Sequence, residues 1–155
     1  MRAPPALLLI EGDADLREAI TDLLAVDDAK FRIEVASNYE DGIVLLNASQ
    51  PALLIAEVLL PGGGDGRKLA DAARRLDVPT LLMSGRPKVI EEQQARGIPF
   101  LAKPFRLPEL RRAIQTLIEG KHLSFRIPAS RNFEHNERND MFGLCQNRAA
   151  LLPRK

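Results

Sequence analysis

Only one cysteine, Cys145, stands in the 155 residues. It permits neither an internal disulfide nor a cysteine-based zinc cluster, which excludes a disulfide scaffold and agrees with a reducing compartment. Long apolar runs are missing as well. The longest, such as LLLI at 7–10 and LLIA at 53–56, fall far short of the roughly 18 residues of a membrane span. The N-terminus MRAPPALLLIEG meets an acid at Glu11 before any cleavage-site pattern, so a cytoplasmic chain with no secretory signal and no membrane contact is expected. There is no internal repeat and no low-complexity tract. The glycines at 62–64 are not followed by a Lys-Ser/Thr pair in P-loop spacing, so a phosphate cradle of that type is discounted.

Net charge is nearly absent at +1, yet it is unevenly distributed. Residues 1–119 hold 15 basic and 18 acidic side chains, whereas residues 120–155 hold 7 and 3. The second stretch also contains His122, His135, Cys145 and the polar run NFEHNERND. A boundary near Gly120 follows, with residues 120–155 expected to form a mobile or loosely docked extension. Its basic residues are scattered among acids and asparagines without a helix-turn-helix pattern, so no DNA-binding domain is expected there. The two histidines are thirteen residues apart and lack partner ligands, which leaves little for a metal site.

What residues 1–119 do contain is alternation. Short apolar runs, LLLI (7–10), RIEVA (32–36), LLIA (53–56), TLLM (80–83) and PFLA (99–102), are separated by stretches of helical period. DADLREAITDLLAV places Leu16, Ile20, Leu23 and Leu24 on one face, with Asp13 and Asp15 at the end where the helix dipole favours acids. NYEDGIVLLNA, GRKLADAARRL, KVIEEQQAR and LPELRRAIQTLIE follow. Five strands and five helices in strict alternation predict a doubly wound α/β domain around a parallel sheet.

In such sheets ligands gather outside the carboxyl ends of the strands, where strand order reverses. The first strand ends in Glu11, Gly12 and Asp13, the third in Glu57, the fourth in Ser84 and Gly85, and the fifth in Lys103 and Pro104. A carboxylate at the end of a buried strand needs a partner, because an unpaired buried charge costs several kcal/mol or is neutralised by protonation. Lys103 is the expected partner of Glu57.

Four of these stretches, LLLIEGDADLRE, PALLIAEVLLPGGGDG, VPTLLMSG and GIPFLAKPF, occur in an order that resembles the receiver domain of bacterial response regulators, over residues 6–119. The resemblance implies a flavodoxin-like fold in which an aspartate at the end of the third strand takes a phosphoryl group from a kinase phosphohistidine. In that family magnesium is held mainly by this aspartate and an acidic pair after the first strand. Ser84 matches the hydroxyl residue of the family, Gly85 its small neighbour, Lys103 and Pro104 the phosphate-binding lysine and following proline, and Phe100 the aromatic that switches together with Ser84. The phosphoacceptor position holds Glu57, and the acidic pair is reduced to Glu11 followed by Gly12, with Asp13 next. PGGGDG also carries one residue more than the family loop.

A glutamate carries its carboxylate about 1.5 Å further from the backbone, and a misplacement of about 1 Å can cost about 100-fold in rate. The expectation is a pseudo-receiver with no enzymatic activity. Glu57 is a fixed charge paired with Lys103, and the domain works in two-component phosphorelay signalling by binding protein. No cofactor is expected, and Mg²⁺ at Glu11 and Asp13 only if the acidic site still functions. The implied partner is a histidine kinase, another regulator or a second copy, met through the fourth helix, fifth strand and fifth helix. Alternatives stay open: Glu57 as a tolerated rim acid, a working phosphoacceptor with an altered acidic site, Glu11 and Asp13 as helix caps, Ser84 as a turn residue, Lys-Pro-Phe at 103–105 as only a rigid loop, whose proline bond the sequence leaves open as cis or trans, and Phe100 as core.

Overall fold

The computed structural model describes residues 4–26 and 31–120. The expected extension beyond Gly120, with His122, His135 and Cys145, lies outside the described residues. Five strands form one parallel sheet: β1 (Ala6–Ile10), β2 (Arg32–Ala36), β3 (Leu53–Glu57), β6 (Thr80–Ser84) and β7 (Phe100–Ala102), in the spatial order β2-β1-β3-β6-β7. Between and after them run α1 (Ala14–Val26), α2 (Tyr39–Ser49), α3 (Gly66–Arg75), α4 (Pro87–Arg96) and α5 (Leu107–Ile118). The alternation read from the sequence is therefore the architecture, and the order reverses between β1 and β3.

The central strands carry no polar alternation because both faces of the sheet are covered. In β1 and β3 every residue is buried. The pleat sends Leu8, Ile10, Leu54 and Ala56 into a cluster with Leu46 of α2, Leu69 of α3 and Val89 of α4. Leu7, Leu9, Leu53 and Ile55 point the other way, to Ile20 of α1 and Leu110, Ala113 and Ile114 of α5. Each fully buried leucine or isoleucine contributes about 1.5–3 kcal/mol relative to exposure. Register is strict for that reason, since a slip of one residue would exchange the two faces.

Helix starts are set by short polar side chains. Asp13 Oδ1 accepts from Leu16 N at 2.9 Å, Asn38 Oδ1 from Asp41 N at 2.8 Å, and Asp65 Oδ1 from Arg67 N at 2.9 Å. Each satisfies an amide that the first helical turn leaves without a partner. At α5 the Glu109 carboxylate reaches back to accept from Arg106 N at 2.9 Å.

The stretch after β3 is more ordered than the loop expected from its glycines. Leu59–Leu60 (β4) pairs antiparallel with Gly64–Asp65 (β5) around a tight turn at Pro61–Gly63. Gly62 and Gly63 have φ of 73° and 81°, the left-handed region that glycine enters without strain. This small hairpin carries Pro61 toward Gly12, just past the end of β1.

Candidate functional site

The reversal point between β1 and β3 brings three charged side chains together. Glu11, just past β1, and Glu57, the last residue of β3, both reach the ammonium of Lys103, which follows β7. Lys103 Nζ donates to Glu11 Oε2 at 2.7 Å and makes a second ion pair with Glu57 Oε2. The Glu11 and Glu57 side chains are 3% and 11% exposed and that of Lys103 is 20% exposed. This is a largely desolvated triad and not a surface pair. Burial alone would push the lysine's proton affinity down, but the hydrogen bonds and charges of Glu11 and Glu57 outweigh it, and the Lys103 pKa is raised.

The remaining oxygens of the two acids point to backbone. Glu11 Oε1 accepts from Asp13 N at 2.9 Å, and Glu57 Oε1 from Leu59 N at 3.4 Å. The turn carrying Glu11 is braced by Arg17, whose Nη1 donates to the Glu11 carbonyl at 2.6 Å. Backbone ties hold the strand ends level: Val58 N donates to Met83 O at 2.9 Å and Lys103 N to Ser84 O at 2.9 Å. Ser84 is fully buried, its Oγ accepting from Arg86 N at 3.3 Å, while Gly85 is exposed. The Lys103-Pro104 peptide is cis. Phe100 is 7% exposed and belongs to the cluster beneath α2, α3 and α4.

Glu57, Lys103 and Glu11 are thus together, while Asp13, expected as a second acid for a metal, is spent on the first turn of α1. Mg²⁺ needs several oxygen ligands in near-octahedral array. The residues present do not fit it. One oxygen of each glutamate is taken by an ammonium, position 12 has no side chain, and among the described residues no group of three His, Cys, Asp or Glu could hold a metal ion. Position 12 is also closed sterically. A Cβ added at Gly12 would lie 2.6 Å from Pro61 Cδ and 2.7 Å from Pro61 Cγ, closer than real Cβ contacts come.

A second polar group ties the hairpin to its surroundings. Asp65, in β5, receives Nε and Nη2 of Arg67, both at 2.9 Å, and Arg67 Nη1 extends to Glu92 of α4 at 3.0 Å. Burial raises the Asp65 pKa, but the Arg67 hydrogen bonds and charge together lower it below the ordinary carboxylate value. Sequence reasoning had no access to this bridge, nor to Glu11 as the second partner of Lys103. Both join residues from different elements.

An acid-and-lysine rim at the reversal point of a doubly wound parallel sheet defines a flavodoxin-like domain of receiver type. The model of the response regulator receiver domain matches residues 7–115, and the chain belongs to that family. It is 28% identical to the response regulator Rre1 of Synechocystis over 131 residues, 80% of this chain and 56% of that protein. It is 37% identical to the transcriptional regulatory protein AfsQ1 of Streptomyces coelicolor over 83 residues, 53% of this chain and 36% of that protein. The chain therefore spans about half or less of these relatives. Among solved structures, a putative response regulator from Chloroflexus aurantiacus matches at a TM-score of 0.64 and 26% identity, covering 75% of this chain and 98% of that one. The receiver domain of the Francisella response regulator 1452 matches at a TM-score of 0.65 and 20% identity, covering 76% and 98%, and shows the fold alone. Receiver domains of this family are signalling modules of two-component systems. Among the described residues no helix is long and apolar enough to cross a membrane.

Proposed function

We propose that this domain is a pseudo-receiver: a protein-interaction module of two-component signalling whose state does not depend on phosphorylation. The observation that carries the reading is Lys103, held by Glu11 and Glu57 at once. Two of the three N–H donors of its ammonium are committed to these carboxylates, which leaves one for an incoming phosphoryl group. Glu57 adds a methylene to the acceptor arm, and Gly12 beneath Pro61 removes the second acid and the space for it. The partner is a histidine kinase, another regulator or a second copy of this chain, engaged through α4, β7 and α5. Lys88, Glu91, Gln94 and Arg96 of α4 and Arg112 and Gln115 of α5 offer an exposed, charged surface for it.

The test is intact mass after incubation with acetyl phosphate and Mg²⁺, on the native chain, on Glu57→Asp, and on Glu57→Asp with Gly12→Asp and Pro61→Ala. The expected result is no phosphoryl mass on the native chain. A phosphorylated native chain would overturn the reading in favour of a working phosphoacceptor, the alternative that the retained Ser84, Lys103 and Pro104 keep open. A gain of mass by the triple variant alone would assign the loss of chemistry to those positions.

A further inference from the structure

The margin of the sheet opposite β7 is formed by β2, which pairs with β1 alone among the described residues. Arg32 N donates to Pro5 O at 2.9 Å and Ala36 O accepts from Glu11 N at 3.1 Å, so these residues turn their backbone groups toward β1. By the alternation of a strand, the N–H and C=O groups of Ile33 and Val35 are directed outward, an open template for another strand. The side chains along this edge are unusual for a margin. Val35 is 45% exposed, and of the three exposed large apolar side chains among the described residues it is the one that stands on the main sheet. Phe31 and Ile33 lie on the same face and pack only partly against the cluster beneath α1 and α5.

The other face of β2 carries charge of both signs. Arg32, whose side chain is 52% exposed, donates through Nη2 to Glu34 Oε1 at 2.7 Å. The second carboxylate oxygen, Oε2, is buried and has no hydrogen-bond partner among the described residues. A carboxylate half supplied in this way has an acceptor left for a further donor.

We propose that β2 is the interface for a second copy of this chain, the two strands running antiparallel about a two-fold axis at Ile33. Charge selects that register. With the axis at Ile33, Ile33 faces its own counterpart and Val35 faces Phe31 of the second copy, all through outward backbone groups that can exchange hydrogen bonds. Arg32 then stands opposite Glu34 of the second copy, twice over, in the pairs without backbone bonds where side chains approach most closely. Moving the axis to Arg32 or to Glu34 would set two like charges against each other. The strand is therefore complementary to itself in a single register, as an isologous interface requires. Joined there, two five-stranded sheets become one of ten, and the α4, β7 and α5 face of each copy stays open to a partner. The acid rim takes no part, so this interface and the pseudo-receiver reading can fail separately.

Sedimentation equilibrium of the full chain tests it, without phosphodonor. The native chain is expected to dimerise with rising concentration. Arg32→Glu and Glu34→Arg each place like charges across the two-fold axis and are each expected to weaken the dimer by about tenfold or more. An equimolar mixture of these two variants restores both opposite-charge pairs and is expected to dimerise as the native chain does, as is the double variant Arg32→Glu with Glu34→Arg. Val35→Lys, at an exposed position that the fold tolerates, is the companion variant should a reversed charge impair folding, and is expected to weaken the dimer as well. The proposal is overturned if the native chain stays monomeric up to about 1 mM, if its dimer survives Val35→Lys and both charge reversals, or if the mixture and the double variant fail to recover what the single reversals lose.

Discussion

Lys103 is the residue on which the rim depends. Without it, two carboxylates that are 3% and 11% exposed face each other with no cation between them. Lys103→Met is expected to destabilise the fold by about 3 kcal/mol, the size typical of breaking a buried pair. Adding Glu57→Gln to that variant should recover part of the loss, and a urea-denaturation cycle over the two positions measures the coupling. The pH dependence follows from the two shifted groups. Lys103 is raised in the folded state, so its contribution is complete below the ordinary value of 10.5 and is lost as pH rises through the higher folded value. Asp65 is lowered, so its contribution is present above the ordinary 3.8 and is lost as pH falls through the lower folded value. Unfolding midpoints should therefore show an alkaline step that Lys103→Met abolishes and an acid step that Asp65→Asn diminishes. The Lys103–Glu57 pair was legible in the sequence because both stand at strand ends on one rim. Glu11 as the other partner was not, since an acid three residues before a helix reads equally well as a cap or a metal ligand.

At the scale of elements, all five strands and five helices could be read from apolar runs and helical period. The β4–β5 hairpin could not. Its strands are two residues each, too short for any periodicity, and its glycines signal a turn without saying where the turn points. That direction matters, because it sets Pro61 against Gly12 and links two positions that look independent in the chain. Gly12→Asp is expected to cost about 2 kcal/mol through overpacking, and markedly less in a Pro61→Ala background. Thermal midpoints of the four chains would check the coupling; equal costs in both backgrounds would refute it. Gln93, fully buried on α4, is a different case. Its spacing of four from Val89 placed it on the buried stripe of α4, and a strict count of polar residues on that stripe would have flagged it.

Across the whole molecule, the rim joins what the chain keeps far apart. Lys103 meets Glu57 over 46 residues and Glu11 over 92, and these partners stand at the carboxyl ends of three strands, with β7 at one margin of the sheet. Contacts between such distant segments carry the largest loop-closure cost and tend to form late. The triad is accordingly expected to be absent from the folding transition state. Stopped-flow kinetics of Lys103→Met should show unfolding faster by on the order of a hundredfold, with refolding almost unchanged; a comparable drop in the refolding rate would place the triad in the nucleus instead. Three side chains at the edge of one sheet would then govern how long each folded molecule lasts, while having almost no say in how quickly it arises.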